Sequence, residues 1–242
     1  MLAQTKWKER MRYLIVLGVV VGCALPFALR GPAATVFSRG PSCEDLAGAP
    51  ELELVLGAPE VEVDDTRPRE TIAALDMKSR NLSGYARSGW VTNGLTLSNL
   101  RSGVRFTTGQ VSFRNGSGCA AVSKAEIHIG FDKPVRILIP DRYREGSCAR
   151  QVLLDHEWQH VEISRSALAA AEDRFKQAVE GLSAVYPIHA DKTDDARRQA
   201  EEVAAEAVEG VRRSIIEEIT ARNAAIDTQA SYMALQARCD DW

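Results

Sequence analysis

The spacing of apolar residues divides the chain into two halves with different local structure. Residues 51–63 alternate apolar and acidic side chains around a Gly57-Ala58-Pro59 interruption, and residues 95–113 carry β-branched and aromatic side chains at a two-residue spacing. Both patterns predict β-strands, in which successive side chains point to opposite faces. The other elements predicted in this half are a hairpin of residues 125–131 and 135–139 around Asp132-Lys133-Pro134 and a short helix at residues 69–77.

The second half predicts two long helices that pack against each other. Residues 149–182 contain no proline, and their only glycine is Gly181, so one helix of about nine turns is expected. Pro187 ends this helix, and Thr193 begins a second one that reaches roughly residue 238. Apolar residues at helical spacing predict the packing faces: Val161, Leu168, Phe175, Val179 and Leu182 on the first helix, and Val208, Val211, Ile215, Ile219, Ile226 and Met233 on the second.

Together these elements predict an α+β fold in one domain of residues 51–242. A small antiparallel β-rich layer occupies residues 51–140. A long antiparallel two-helix hairpin, with a loop of about ten residues, occupies residues 148–238. The chain of 242 residues suffices for one modest core, and its aromatic content of 6% means that Val, Leu, Ile and Ala must fill most of that core.

The amino terminus has the pattern of an export signal. Residues 1–12 carry four basic residues against one acidic residue, and residues 13–29 contain no charged residue. This order predicts a cytoplasmic basic segment, a signal anchor or signal peptide, a linker at residues 30–50, and an exported domain. Three outcomes stay open: a single-pass anchor in the inner membrane facing the periplasm or extracytoplasmic side, cleavage near Ala33, Ala34 or Ser38 to give a secreted or periplasmic protein, and lipid attachment at Cys23.

The cysteines and the net charge narrow the compartment and the partners. Cys23 lies in the apolar segment, and the other four cysteines can form two disulfides in an oxidising compartment, in any of three pairings. These four are Cys43, Cys119, Cys148 and Cys239. The net charge of -3 excludes nucleic acid as a partner. The expected partners are a peptide or protein substrate in the cell envelope and the membrane itself, through residues 13–29.

The sharpest chemical signal is an H-E-x-x-H sequence at residues 156–160, inside the first predicted helix. A spacing of four residues places His156 and His160 on one helical face, so that both imidazoles can bind one tetrahedral Zn²⁺ ion. Glu157 is then directed beside the metal, where it can accept the proton of a bound water. The pattern therefore predicts zinc as the cofactor, His156 and His160 as ligands, and Glu157 as the catalytic base.

A catalytic zinc needs a third protein ligand. Glu180 has the spacing of the third ligand in thermolysin-like enzymes, but it lies about 30 Å from His160 along an unbroken helix. Counting back along the returning helix reaches residues 217 and 218, of which Glu218 lies nearer the apolar face and is the predicted third ligand. Asp227, His128 and His189 stay open as alternatives.

The order of several short motifs resembles a bacterial family of predicted secreted zinc-dependent proteases, catalogued as a domain of unknown function. The motifs are Gly94-Leu95-Thr96 in a strand, Gly118-Cys119 before alternating strands, Ile139-Pro140, and HEWQH in a long helix. The likeness covers about residues 50–235. That family continues with Tyr-Asp and a later Thr and His-Gly, where this chain has Ile226-Asp227, Ala230 and Tyr232. The resemblance implies a zincin-like peptidase and names no substrate.

A zinc peptidase also needs an oxyanion donor and a strand that aligns the substrate. Tyr232, His128 and Arg222 are candidate donors. The strand at residues 126–131, with Glu126, His128 and Gly130 on one face, is the candidate edge strand. The predicted function is hydrolysis of peptide bonds in the cell envelope. The alternatives are a non-catalytic, membrane-tethered envelope scaffold and a zinc-dependent hydrolase of peptidoglycan stem peptides.

Overall fold

A computed structural model describes residues 41–79, 93–131, 133–240 and 242 of the chain. The predicted basic segment, the predicted membrane segment of residues 13–29 and the predicted linker up to residue 40 lie outside the described residues. Within the described ranges, no helix is both long enough and apolar enough to span a bilayer.

The larger of two β-sheets is built on a long hairpin. Strands β4 (Leu100–Ser112) and β5 (Gly118–Phe131) pair antiparallel along almost their whole lengths. Their turn is closed by the backbone N–H of Phe113, which donates to the carbonyl oxygen of Ser117 at 2.8 Å. Gly116 has a φ of 88° in this turn, a conformation that glycine adopts without steric cost. The other edge of β5 is shared by β1 (Glu51–Gly57), which runs parallel to it, and β7 (Ile188–Ala190), which runs antiparallel.

The smaller sheet has the strand order β2-β6-β3. Strand β6 (Val135–Pro140) lies in the middle, parallel to β2 (Val61–Arg67) and antiparallel to β3 (Leu95–Leu97). Helix α1 (Arg69–Ser79) packs on this sheet through Ile72, which is fully buried. Strand β3 is therefore an edge strand within the part of the chain that the structure describes.

These pairings correct the predicted fold class. The fold is mixed α/β with two sheets, each containing a parallel pair, and not an α+β fold with one small antiparallel layer ahead of a helical hairpin. The chain changes sheet between β1 and β2, at the Gly57-Ala58-Pro59 interruption. The predicted hairpin of residues 125–139 was also wrong, because β4 on one side and β1 and β7 on the other occupy both edges of β5. Alternation determines which face of a strand is buried, but it does not select the partner strand.

Both predicted long helices are interrupted. The first consists of α2 (Cys148–Ala169) and α3 (Ala171–Gly181), with the break at Ala170. The second consists of α4 (Thr193–Ile226) and α5 (Gln229–Gln236), with the break at Asp227 and Thr228. Thr228 begins α5 because its hydroxyl accepts the N–H of Ser231, whose hydroxyl accepts the N–H of Thr228 in return.

The apolar faces of the helices cover both sheets. All five residues predicted for the first helix are buried, which confirms that stripe. On the second helix Val208 and Ile215 are buried, but Met233 is 63% exposed. The prediction for Met233 was wrong because α5 starts anew after the break at Asp227 and does not continue the face of α4. Helix α2 packs on β6 and β3 of the smaller sheet and on α4. Residues of β3 and of α4 can therefore both reach the side chains that α2 presents.

Two disulfides are present, as predicted, and the structure selects one of the three pairings. Cys43 is bonded to Cys119, and Cys148 is bonded to Cys239. The first bond ties a short 3-10 helix (Cys43–Leu46), inside the predicted linker, to β5. The second joins the first residue of α2 to the segment after α5, so the two helices are covalently linked near the H-E-x-x-H sequence.

Candidate metal centre

The buried polar side chains of the described residues are concentrated in α2. His156 is 2% exposed, Glu157 3% and His160 8%. Ser164, 3% exposed, donates its hydroxyl hydrogen to the carbonyl oxygen of His160. Burying an ionisable group costs free energy unless the group is hydrogen-bonded or coordinates a metal. This concentration therefore indicates a functional site.

The local sequence explains why α2 presents these side chains together. Ser147 caps the helix by accepting the backbone N–H of Arg150 at 3.2 Å. The buried face of α2 then carries His156 and His160 one turn apart, with their ring centroids separated by 5.0 Å in an edge-to-face arrangement. The spacing of four residues thus produces the pair of imidazoles that the sequence predicts.

Asp227 is the third group at this place. Its Oδ1 lies 3.2 Å from Nε2 of His156 and 3.2 Å from Nε2 of His160. The three side chains form a group whose potential ligand atoms all lie within 4.8 Å of one another. Asp227 was one of three alternatives in the sequence, and it stands at the helix break between α4 and α5.

Glu218, the predicted third ligand, lies elsewhere. Its carboxylate pairs with Arg174 of α3 and with Arg222 one turn further along α4. The hydrogen bond from Arg174 is the main cause that lowers the pKa of Glu218. The prediction failed because it counted residues along two straight helices, whereas the break at Ala170 and the insertion of β7 change the level of the second helix relative to the first.

The two remaining alternatives also lie apart from this group. His128 is on the exposed face of β5. His189 is exposed on β7, beside the Cys43–Cys119 disulfide, whose sulfurs are no longer available as thiolates.

The distances between Asp227 and the two imidazoles are compatible with a bound metal ion. Ligand atoms about 2.0–2.1 Å from a tetrahedral zinc ion are separated by about 3.3 Å. The two separations between Asp227 and the histidines, both 3.2 Å, are close to this value. Hydrogen bonds between a protonated imidazole and a carboxylate are shorter, about 2.7–2.9 Å.

The charges fit a divalent cation as well. Ionised Glu157 and Asp227 carry two negative charges beside two imidazoles that are neutral when they bind a metal. The residues described as lining the adjacent cleft include no Lys and no Arg. A divalent ion held by His156, His160 and Asp227 would be attracted by the negative charge of Asp227.

Asn223 orients His160, and the sequence did not identify this residue. Its Oδ1 lies 3.0 Å from Nδ1 of His160. Because an amide oxygen only accepts, Nδ1 carries a ring hydrogen, so that the neutral imidazole would offer its Nε2 lone pair to a metal on the side of Asp227. Asn223 and Asp227 are four residues apart, so the polar pair at the end of α4, followed by the Thr228 cap, is the signal that could have located both.

Glu157 is held by strand β3. Its Oε2 accepts the hydroxyl hydrogen of Thr96 at 2.8 Å, and the same hydroxyl lies 3.1 Å from the carbonyl oxygen of Glu157. On the other side, Gly94 allows close approach, since a Cβ atom at this position would lie 2.5 Å from Oε1 of Glu157. The carboxylate is therefore fixed between α2 and β3.

Burial and neighbouring groups change the acidity of the site. Burial raises the pKa of Glu157, and the opposing effects of His160, Thr96 and His156 offset only part of that rise. A raised pKa makes this carboxylate a better proton acceptor near neutral pH. Burial also acts to raise the pKa of Asp227, but the hydrogen bonds with His156 and His160 outweigh it and lower that pKa, so Asp227 is ionised. Burial alone would lower the pKa of His160, yet its contacts with Asp227 and Glu157 raise it.

Gly94→Ala is expected to displace the Glu157 carboxylate, so that a reaction in which this carboxylate is the base would slow, while a metal ion held by His156, His160 and Asp227 would be retained. The new methyl group would overlap Glu157 Oε1 and displace the carboxylate, and a misplacement of about 1 Å can lower kcat by roughly 100-fold. Steady-state kinetics and zinc content measure the two effects separately. Gly103→Ala on β4 is the matched control, because a Cβ atom there meets nothing within 4 Å. A Gly94→Ala variant as active as the parent would contradict the placement of Glu157.

A cleft of about 680 Å³ opens beside these residues, between β3 and α4. Tyr232 of α5 lies at this cleft, and its hydroxyl donates to Asp227 Oδ1 at 3.2 Å. Its ring is 5.3 Å from that of His156. Of the three candidate oxyanion donors, Tyr232 is the one that the structure brings to the site. Arg222 instead donates to Ser166 and pairs with Glu218.

The strand beside the cleft differs from the one predicted. Residues 126–131 belong to β5, an interior strand whose edges are already paired, so they offer no free edge to a substrate. Strand β3 is the edge strand that lines the cleft, through residues 94–97. The alternation of β5 gave no indication of this, because edge and interior strands can share the same pattern.

Comparison with known proteins identifies no relative: no protein-family model, curated protein or solved structure matches the chain significantly.

Proposed function

We propose that this protein is a zinc-dependent hydrolase of peptide bonds. The observation that carries the proposal is the convergence of His156 Nε2, His160 Nε2 and Asp227 Oδ1, with buried Glu157 beside them at the end of a cleft. Two imidazoles and one carboxylate are a set of ligands typical of a catalytic zinc site, and the adjacent glutamate can serve as the base.

Each residue has a distinct part in the proposed reaction. His156, His160 and Asp227 hold the ion, and Asn223 keeps His160 in the tautomer that binds it. Zinc bound there supplies Lewis acidity and lowers the pKa of a water molecule toward about 7. Glu157 takes the proton of the attacking water and delivers it to the leaving amine nitrogen. The Tyr232 hydroxyl, which donates to Asp227 Oδ1 in the structure, would turn its hydrogen to the substrate carbonyl oxygen as negative charge develops on it.

The edge strand supports a peptide as the substrate. The backbone groups on the outer edge of β3 can pair with an extended chain, as in other cases where a peptide adds a strand to a sheet. Thr96 on this strand also holds Glu157, so a peptide paired with β3 would lie next to the catalytic base.

The two disulfides support a site of action in an oxidising compartment, because such bonds persist outside the cytoplasm. An exported enzyme with this site would act on peptides or proteins of the cell envelope.

The function is tested by hydrolysis of a peptide mixture before and after removal of metal with EDTA. Cleavage should disappear with the metal and return when about one zinc ion per chain is restored. Equal cleavage by the metal-free chain would contradict the proposal. A chain that binds zinc and cleaves no peptide would contradict the enzymatic role and favour a scaffold.

A further inference from the structure

The part of the cleft beyond the metal group is lined by large apolar side chains together with the uncharged polar residues Ser98, Asn99 and Thr220. Its walls come from β3 and the start of β4 on one side and from α4 on the other. Its large side chains are aliphatic or aromatic and, apart from buried Leu95, only partly buried or exposed: Leu95, Leu97, Leu100, Phe131, Ile216 and Ile219. Ile216 is 37% exposed, a high value for an isoleucine beside a core.

Among the described residues that line the cleft, no charged side chain outside the metal group is available to a substrate side chain. The ionisable residues that line it are Glu157, His160 and Asp227, and all three belong to the metal group. The other polar residues that line the cleft carry no charge at physiological pH. They are Thr96, Ser98, Asn99, Ser164, Thr220, Asn223 and Tyr232. A charged substrate side chain would therefore lose its hydration in this cleft without gaining an ionic partner.

The helix geometry locates the apolar wall relative to the metal group. Ile219 and Ile216 precede Asn223, the partner of His160, by four and seven residues on α4. At 1.5 Å per residue these positions lie about 6 Å and about 10 Å along the helix axis. In an extended peptide, side chains on the same face are separated by about 7 Å. The wall therefore lies within reach of a residue flanking the reacting bond.

We propose that this cleft selects peptides by a large apolar side chain next to the cleaved bond, bound between Leu100 on one wall and Ile216 and Ile219 on the other. This proposal rests on the proposed peptidase function and adds the substrate class. The preference for Leu, Ile, Phe or Met over Asp, Glu, Lys or Arg at that position should be at least about tenfold, the lower end of what a hydrophobic pocket achieves for small differences in side chain.

Binding to the zinc-loaded Glu157→Gln variant measures this preference without cleavage. The probes are fluorescein-labelled alanine-rich peptides that differ only in one central residue, which is Leu, Phe, Asp or Lys. Fluorescence anisotropy should show at least about tenfold tighter binding of the Leu and Phe peptides. Equal binding of all four peptides would overturn the proposal.

Substitution of the wall tests whether these residues cause the preference. Ile216→Asp should weaken binding of the Leu peptide and strengthen binding of the Lys peptide, because the new carboxylate faces the same cleft. Folding should tolerate the change, since Ile216 is already partly exposed. Val104→Asp on β4 is the matched control, because Val104 is 46% exposed and does not line the cleft. An unchanged preference in Ile216→Asp would also overturn the proposal.

Failure of this proposal can be distinguished from failure of the proposed function. Zinc-dependent cleavage that Glu157→Gln abolishes, at bonds with no common side chain, would overturn the specificity and leave the peptidase function intact. Preferential binding of the Leu peptide by a chain that hydrolyses no peptide would support the proposed preference of the cleft but contradict the peptidase function.

Discussion

Glu157→Gln is expected to lower peptide hydrolysis by about 10²–10⁴-fold, the range over which a positioned general base contributes. The amide cannot take the proton of the attacking water, although its oxygen can still accept the Thr96 hydroxyl hydrogen. The fold and the zinc content should stay unchanged, because Glu157 is not one of the three groups that converge at the metal position. Initial rates and zinc content of the purified variant provide the measurement.

Glu162→Gln is the matched control for this substitution. Glu162 lies on the same helix, is 63% exposed and pairs with Arg165, so its loss should change the rate little. Hydrolysis by Glu157→Gln at the rate of the parent chain would show that another group is the base and would reject the mechanism.

Asp227→Ala is expected to remove zinc. The substitution deletes a carboxylate whose Oδ1 lies 3.2 Å from Nε2 of both imidazoles. Loss of a direct ligand should weaken binding by more than about 100-fold, the upper end of the effect of losing an outer-shell partner. Competition with a fluorescent zinc chelator measures this affinity, and hydrolysis should be lost in parallel.

Glu218→Ala tests which residue is the third ligand, Asp227 as the structure indicates or Glu218 as the sequence predicts. It removes the carboxylate that the sequence predicted as third ligand, and the structure places this group with Arg174 and Arg222. Zinc affinity should therefore stay near that of the parent chain. Zinc loss in Glu218→Ala with retention in Asp227→Ala would reverse the assignment.

The part of the site that depends on local spacing was predictable from the sequence. His156, Glu157 and His160 lie within five consecutive residues, and the geometry of one helix determines how they are related. The helical faces around Phe175 and Val208 followed from the same periodicity and are buried as expected.

The parts that depend on long-range geometry were not predictable. The level of Asp227 relative to His160 depends on the break at Ala170 and on β7, which joins a sheet within the predicted loop. The predicted fold class was wrong for a related reason. Hydrophobic alternation in β1 and β2 indicates strands, but it does not show that each runs parallel to a distant strand in a different sheet.

The central claim is that His156, His160 and Asp227 bind one zinc ion. Anomalous diffraction at the zinc edge, from crystals of the zinc-loaded chain, tests this claim most directly. The account predicts a strong peak bonded to Nε2 of His156, Nε2 of His160 and Oδ1 of Asp227. A zinc-loaded crystal with no peak between these three atoms would contradict it.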